Sequence, residues 1–383
     1  MAARSPPGRL VRPAGAPISW GGRSPRYEKG LLVSKKQIPV IVLTGFLGSG
    51  KTTLLNHLLR QSRGTRIGVI VNDFGAIEID AMAVAGQLGD STVSLGNGCL
   101  CCAVDVSELD GYLERLTRPA ARLDVIVIEA SGLAEPQELV RMILASENER
   151  IVYGGLAEVV DAAEFDATRE RHPEIDRHLA LADLVVLNKT DRVGEERLAR
   201  VLGTVGALSG SAAVVRASYG RIDPQLLFDP ALRPDGEEKA RQLSFDDLRS
   251  EDPEDCHDDH LHAAYESVSF TSDVPMDPRR LMEFLDTRPE GLYRIKGYVD
   301  FGAADARNRY AVHAVGRFLR FYPEPWESEE PRLTQLVLIG SGTDAGALGK
   351  ELASCRADGP RDAPAAADEH SMWGVLRYVQ GEG

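Results

Sequence analysis

The chain has 383 residues, 44 Lys and Arg against 58 Asp and Glu, and a formal net charge of −14. This length allows two or three domains with full cores, and the acidic balance excludes nucleic acid or an anionic membrane as the main partner. No apolar stretch approaches the roughly 18 residues of a membrane span, and five cysteines in such a chain make no disulfide scaffold, so a reducing, cytoplasmic location is expected.

Residues 1–36 hold eight Lys or Arg and one acid, Glu28. Pro6, Pro7, Pro13 and Pro17 break any amphipathic helix, and no apolar run suits a secretory signal. A disordered extension, or a stretch upstream of the working start codon, is expected. From Ile38 buried strands and helices alternate. Strands are predicted near 38–44, 67–72, 91–95, 124–129, 155–160, 183–187 and 212–216, and helices near 51–61, 107–117, 135–146, 174–181 and 194–208. Such alternation means an α/β domain over 37–228 with a mainly parallel sheet covered on both faces. Its ligands belong at the carboxyl ends of the strands.

The first strand runs into Gly45-Phe46-Leu47-Gly48-Ser49-Gly50-Lys51-Thr52, a full match to the phosphate-binding pattern G-x-x-x-x-G-K-[ST], and a helix opens with Thr53. Glycines let backbone N–H groups close around phosphate oxygens, and the helix N-terminus adds partial positive charge. Lys51 is placed to reach the terminal phosphates and Thr52 to ligate Mg²⁺. Next comes Gly96-Asn97-Gly98-Cys99-Leu100-Cys101-Cys102. Thiolates are soft ligands suited to Zn²⁺, with Co²⁺ or Ni²⁺ as other candidates. Cys99, Cys101 and Cys102 leave one tetrahedral position open. A redox pair, a structural zinc and a core turn of small residues stay open as readings of the same loop. The strand at 124–129 ends in Glu129, followed by Gly132. This is where a P-loop NTPase places its outer-shell Mg²⁺ acid and the glycine that senses the γ-phosphate.

A later strand leads into Asn188-Lys189-Thr190-Asp191, the N-K-x-D pattern of GTP-binding proteins. A carboxylate at Asp191 accepts N1–H and N2–H of guanine, whereas adenine would leave it unpaired. Asn188 would brace the loop and Lys189 lie along the base. Arg216-Ala217-Ser218 is placed to give guanine a backbone contact. Residues 229–262 then read as an acidic linker, with eleven acids over 235–259. Within it Cys256, His257, His260 and His262 crowd together, a polar linker or a metal-capturing tract. The region 263–356 shows strands near 265–270, 292–301, 310–313, 317–321 and 333–339 with helices near 277–287 and 344–354, a smaller α+β domain. Residues 357–383 form a tail that ends apolar, from Met372 to Val379, and is expected to dock on that domain or a neighbour.

In this order the phosphate loop, Val71-Asn72-Asp73-Phe74-Gly75 with Ile79-Asp80, the cysteine loop, the Glu129…Gly132 strand end and Asn188…Asp191 resemble the CobW-type family. This is a family of GTP-dependent metallochaperones among the SIMIBI-class P-loop GTPases, related to the urease and hydrogenase nickel-insertion GTPases. The likeness runs from about Ile38 to about Cys355. It implies GTP hydrolysis with Mg²⁺, Cys99, Cys101 and Cys102 as metal ligands, and a switch over 72–80 to which Asp73 and Asp80 contribute. It further implies that bound nucleotide builds the metal site and that hydrolysis releases metal to a client protein or cofactor-synthesis enzyme. The protein would act as a monomer or a GTP-dependent dimer. Two other functions fit the same residues, a GTPase interaction switch with a structural metal and a zinc buffer or sensor.

Overall fold

The computed structural model describes residues 37–62, 64–71, 92–94, 106–119, 121–132, 134–229, 265–327, 330–358 and 371–379. The N-terminal extension, the 72–80 switch candidate with Asp73 and Asp80, the cysteine loop and nearly all of the acidic linker lie outside the described residues.

Seven strands form the first sheet: β1 (Ile38–Thr44), β2 (Ile67–Val71), β3 (Thr92–Ser94), β4 (Val125–Glu129), β5 (Ile151–Asp161), β6 (Leu184–Asn188) and β7 (Ala213–Arg216). Their order is β3-β2-β4-β1-β5-β6-β7, and every pairing is parallel. The expected α/β fold is borne out. Continuous apolar runs suit strands covered on both faces, and β1 divides its side chains accordingly. Ile41 and Leu43 pack with Leu54, Leu55 and Leu58 of α1 (Lys51–Arg60). Val40 and Val42 pack with Leu109 and Leu113 of α2 (Val106–Leu116) and with Leu139 and Ile143 of α3 (Pro136–Ala145). A third cluster joins Val160, Val185 and Leu187 to α4 (Phe165–Arg171), α5 (Ile175–Leu181) and α6 (Glu195–Ser209).

β5 begins at Ile151, four residues before the predicted start, because Gly154 and Gly155 sit inside the strand as an irregularity. The register shifts there from Val40↔Tyr153 to Ile41↔Gly155. Gly155 has φ +111°, and a Cβ on it would lie 2.7 Å from Val315 and 3.0 Å from the Tyr293 hydroxyl. A glycine here therefore serves close approach rather than a turn. Helix α4 has no counterpart in the sequence reading. Only Phe165 of its seven residues is buried, so it offers no apolar period.

The second sheet has order β11-β10-β9-β12-β8 and is antiparallel throughout. Its strands are β8 (Glu266–Ser272), β9 (Leu292–Val299), β10 (Asn308–Val315), β11 (Phe318–Pro325) and β12 (Thr334–Gly340). Helices α7 (Pro278–Asp286) and α8 (Ala345–Ser354) cover it through Leu281, Phe284, Leu285, Leu348 and Leu352. The apolar end of the tail packs here too. Its short helix α9 (Trp373–Leu376) buries Val375, and Val379 bridges to Phe321 on β11.

This second unit meets the parallel sheet at the amino ends of β5, β6 and β7. His313 Nε2 lies 2.9 Å from the Tyr153 carbonyl, Ser341 Oγ donates to Val214 O at 3.0 Å, and Gly291 N donates to Ser211 O at 3.1 Å. Tyr293, Val315 and Ile339 complete the cluster around α1 and β1. The carboxyl ends of the parallel strands lie at the opposite edge.

Candidate functional site

The site is built where β1 ends. Thr44 is buried, and Gly45 turns the chain at φ +139°. A Cβ on Gly45 would fall 2.2 Å from the Val159 carbonyl of the neighbouring strand, so no side chain fits there. Gly50 begins α1 in the left-handed region at φ +105°, and no side chain caps that helix. Gly50 thus has no side chain to compete with an anion for the first-turn N–H groups. Thr53 is exposed on the first turn, Gly48 is exposed at the loop's tip and Ser49 is buried.

Lys51 is buried, and its Nζ donates to the carbonyls of Gly45 at 2.9 Å and Phe46 at 3.4 Å. The ammonium is thus folded back over its own loop. Thr52 Oγ1 donates to Glu129 Oε1 at 2.7 Å, which joins the start of α1 to the buried end of β4. Gly132 closes the far side, and a Cβ on it would meet Leu47 N at 2.7 Å. A glycine cradle, a buried ammonium and a hydroxyl-carboxylate pair fit a Mg²⁺-bound nucleoside phosphate.

The base loop is anchored to the same cradle. Asn188 Nδ2 donates to Ser49 O at 2.9 Å, and its Oδ1 accepts from Gly220 N at 2.9 Å. One side chain thus spans phosphate loop, strand end and the turn after β7. Lys189 stands at φ +58° and donates to Gly48 O at 2.6 Å and to Asp161 at 2.7 Å. Thr190 Oγ1 donates to Ala217 O at 3.0 Å and lies 3.1 Å from Ser218 Oγ, so the Arg216–Ser218 segment is tied to the base loop. Asp191 is exposed on a short helical turn, Thr190–Arg192. The geometry brings together Gly45, Gly48, Ser49, Gly50, Lys51, Thr52, Thr53, Glu129 and Gly132 at one strand-end edge, with Asn188, Lys189 and Asp191 beside them.

Two residues of this edge escaped the sequence reading. Asp161 closes β5 and pairs with Lys189. Glu158 sits three positions earlier, 2% exposed, with no hydrogen-bond partner for Oε2 among the described residues. Burial raises its pKa to about 8 against the pull of Lys51. The available signal was an acid inside the apolar run Leu156-Ala157-Glu158-Val159-Val160. Glu158 lines a cleft of about 280 Å³ with Phe46, Gly48, Asp161, Arg171 and Lys189.

The described residues contain no group of three His, Cys, Asp or Glu that could hold a metal ion. Cys99, Cys101 and Cys102, and Cys256, His257, His260 and His262, lie outside them. Cys355 is buried, and its thiol donates to Glu351 O at 3.3 Å and Arg280 O at 3.5 Å, a packing role.

An all-parallel sheet with a phosphate loop after its central strand and an anchored N-K-x-D turn defines a P-loop nucleotide-binding domain of the GTPase class. Residues 39–216 match the CobW/HypB/UreG nucleotide-binding domain, and residues 265–356 match the cobalamin synthesis protein cobW C-terminal domain. The chain is 33% identical to the zinc chaperone CobW of Pseudomonas aeruginosa over 85% of this chain and 94% of that one. It is 30% identical to the zinc chaperone YjiA of Escherichia coli over 79% and 94%. A crystal structure of the zinc-bound YjiA GTPase matches 84% of this chain and 99% of that chain, at 24% identity and a TM-score of 0.41. The chain belongs to the CobW family.

Proposed function

We propose that the protein is a GTP-hydrolysing zinc metallochaperone whose nucleotide state governs a thiolate metal site. The observation that carries the nucleotide half is the convergence of three strand ends on one loop. The end of β1 supplies the cradle, β4 brings Glu129 to Thr52, and β6 brings Asn188 to Ser49. The names of the relatives, zinc chaperones CobW and YjiA, support zinc as the cargo.

In this reading Lys51 leaves the Gly45 and Phe46 carbonyls to neutralise terminal phosphates, and Asp191 selects guanine through its paired donors. Mg²⁺, held by Thr52 with Glu129 in its outer shell, would supply charge for the phosphoryl oxygens. Among the described residues no side chain stands out as a base for the attacking water, so slow intrinsic turnover is expected. Cys99, Cys101 and Cys102 would hold zinc, and a metal-dependent client protein or cofactor-synthesis enzyme would receive it.

A Zn²⁺ competition titration against a chromophoric chelator, with a Mg–GTP analogue and again with Mg–GDP, tests this. Binding at least tenfold tighter in the GTP state, and lost in Cys101→Ser while GTP binding survives, is the expected result. Equal affinity in both states would overturn the chaperone mechanism and leave a GTPase with a structural metal. Unchanged metal handling in Lys51→Ala would point to a zinc buffer or sensor.

A further inference from the structure

Tyr219 stands in the turn after β7 with φ +56°, in the left-handed region that bulky residues avoid. Arg122 and Lys189 are the other non-glycine residues with positive φ among the described residues, and Lys189 belongs to the N-K-x-D turn. Lys189 and Tyr219 thus lie in the two loops that Asn188 and Thr190 tie together. Ser218, just before Tyr219, places its Oγ 3.1 Å from Thr190 Oγ1, and Gly220, just after it, donates to Asn188 Oδ1 at 2.9 Å. Gly220 also presses on α1, where a Cβ would fall 2.7 Å from Leu54 N. With both neighbours pinned, Tyr219 is held in a conformation that glycine would adopt at less cost. Its ring gains little from the protein in return. It is 64% exposed, and its electrostatic partner among the described residues is the Arg221 guanidinium, 6.0 Å from the ring centroid.

We propose that Tyr219 is a base-stacking residue, whose ring covers one face of the guanine that Asp191 recognises at its edge. The opposite wall is the stem of Lys189, whose Nζ is fixed to Gly48 O at 2.6 Å and to Asp161 at 2.7 Å. A purine offers an apolar π-face on each side. An exposed aromatic ring on a rigid turn is suited to cover one, because it brings a large flat area and has few rotamers to lose. This gives the strained backbone at Tyr219 a purpose that packing within the protein does not. Stacking is tolerant of which base is stacked, so Asp191 discriminates while Tyr219 adds affinity. The base is the same before and after hydrolysis, so Tyr219 contributes alike with GTP and GDP.

This inference rests on the reading that the phosphate loop and Asp191 hold a guanine nucleotide. Calorimetry of Mg–GDP, and of a non-hydrolysable Mg–GTP analogue, binding to the full chain tests it. Tyr219→Ala should weaken both by about tenfold and by the same factor, while Tyr219→Phe stays within about twofold of wild type. Tyr219→Gly separates stacking from support of the turn, and replaces the alanine variant if that one does not fold. It should melt above the alanine variant, since only glycine takes this φ without strain, yet bind no tighter than it. Wild-type affinity in the alanine or glycine variant, or a phenylalanine variant as weak as alanine, overturns the proposal. A wild type that binds no Mg–GDP overturns the nucleotide reading instead.

Discussion

Asn188 holds the nucleotide edge together with a single amide. Its Nδ2 faces the Ser49 carbonyl and its Oδ1 the Gly220 N–H, all buried. Asn188→Ala would leave both backbone groups without a partner, at a cost of about 1–3 kcal/mol each. A loss of about 2–4 kcal/mol in urea unfolding is expected, together with at least tenfold weaker Mg–GDP binding, because loop and base turn lose a common anchor. Asn188→Asp separates the two bonds. Its carboxylate still accepts from Gly220 N–H but faces the Ser49 carbonyl with no proton to donate. It should therefore fall at least as far as the alanine variant despite its similar shape. Wild-type affinity in either variant would remove the bracing role.

At the scale of elements, most of what makes the parallel sheet was legible because its strands are continuous apolar runs. β1, β2, β4 and β6 were all visible in this way, and each strand-end motif could be placed by its position after a run. β5 was read short because Tyr153-Gly154-Gly155 looks like a turn, whereas Gly155 exists to admit Val315 and Tyr293 from a sheet formed over a hundred residues later. Glu158 was passed over for a related reason. A local pattern treats an acid in an apolar strand as noise, and only the folded neighbourhood puts it on the cleft beside Phe46 and Gly48 of the phosphate loop. The order of the antiparallel sheet depends on long-range pairing that no local period encodes. Its helices are easier, since their caps are local. Asp277 accepts from Arg279 and Arg280 N–H at 3.0 and 2.9 Å, and Asp344 accepts from Gly346 and Ala347 N–H at 2.8 and 3.0 Å. Alanine at either position should cost about 1 kcal/mol and asparagine much less. Urea midpoints of the four variants measure this. Equal losses for alanine and asparagine would trace the effect to charge rather than to the cap.

At the scale of the whole molecule, the second unit is fastened beneath the parallel sheet, away from the nucleotide edge, and its fastening carries a pH dependence. The turn between β10 and β11 is pressed against the start of β6. A Cβ on Gly316 would overlap the Asp183 carboxylate, which in turn accepts from Tyr153 Oη at 2.5 Å and Leu156 N at 2.9 Å. Next to it His313 meets the Tyr153 carbonyl, and an acceptor there requires Nε2 to carry the proton. A second proton would go to Nδ1, in a region that already holds Arg294 and Lys296. Burial lowers the His313 pKa, the Tyr153 hydrogen bond opposes it only in part, and the group titrates at about 4 rather than 6.5. Between those two values the unfolded chain binds more protons than the folded one. The contribution of His313 is therefore fully present above pH 6.5, falls as pH drops, and is gone below about 4. The shift corresponds to at most about 3 kcal/mol, less whatever solvent screens at the partly exposed ring. His313→Gln keeps a donor for the Tyr153 carbonyl and removes the titration. Urea unfolding from pH 7.5 to 4 should show the wild type losing more stability than this variant, with the gap opening below 6.5. The other titrating groups act alike in both proteins, so they cancel in the difference. Parallel curves would mean that the ring accepts its second proton freely, and that the contact between the two units is not what acid loosens.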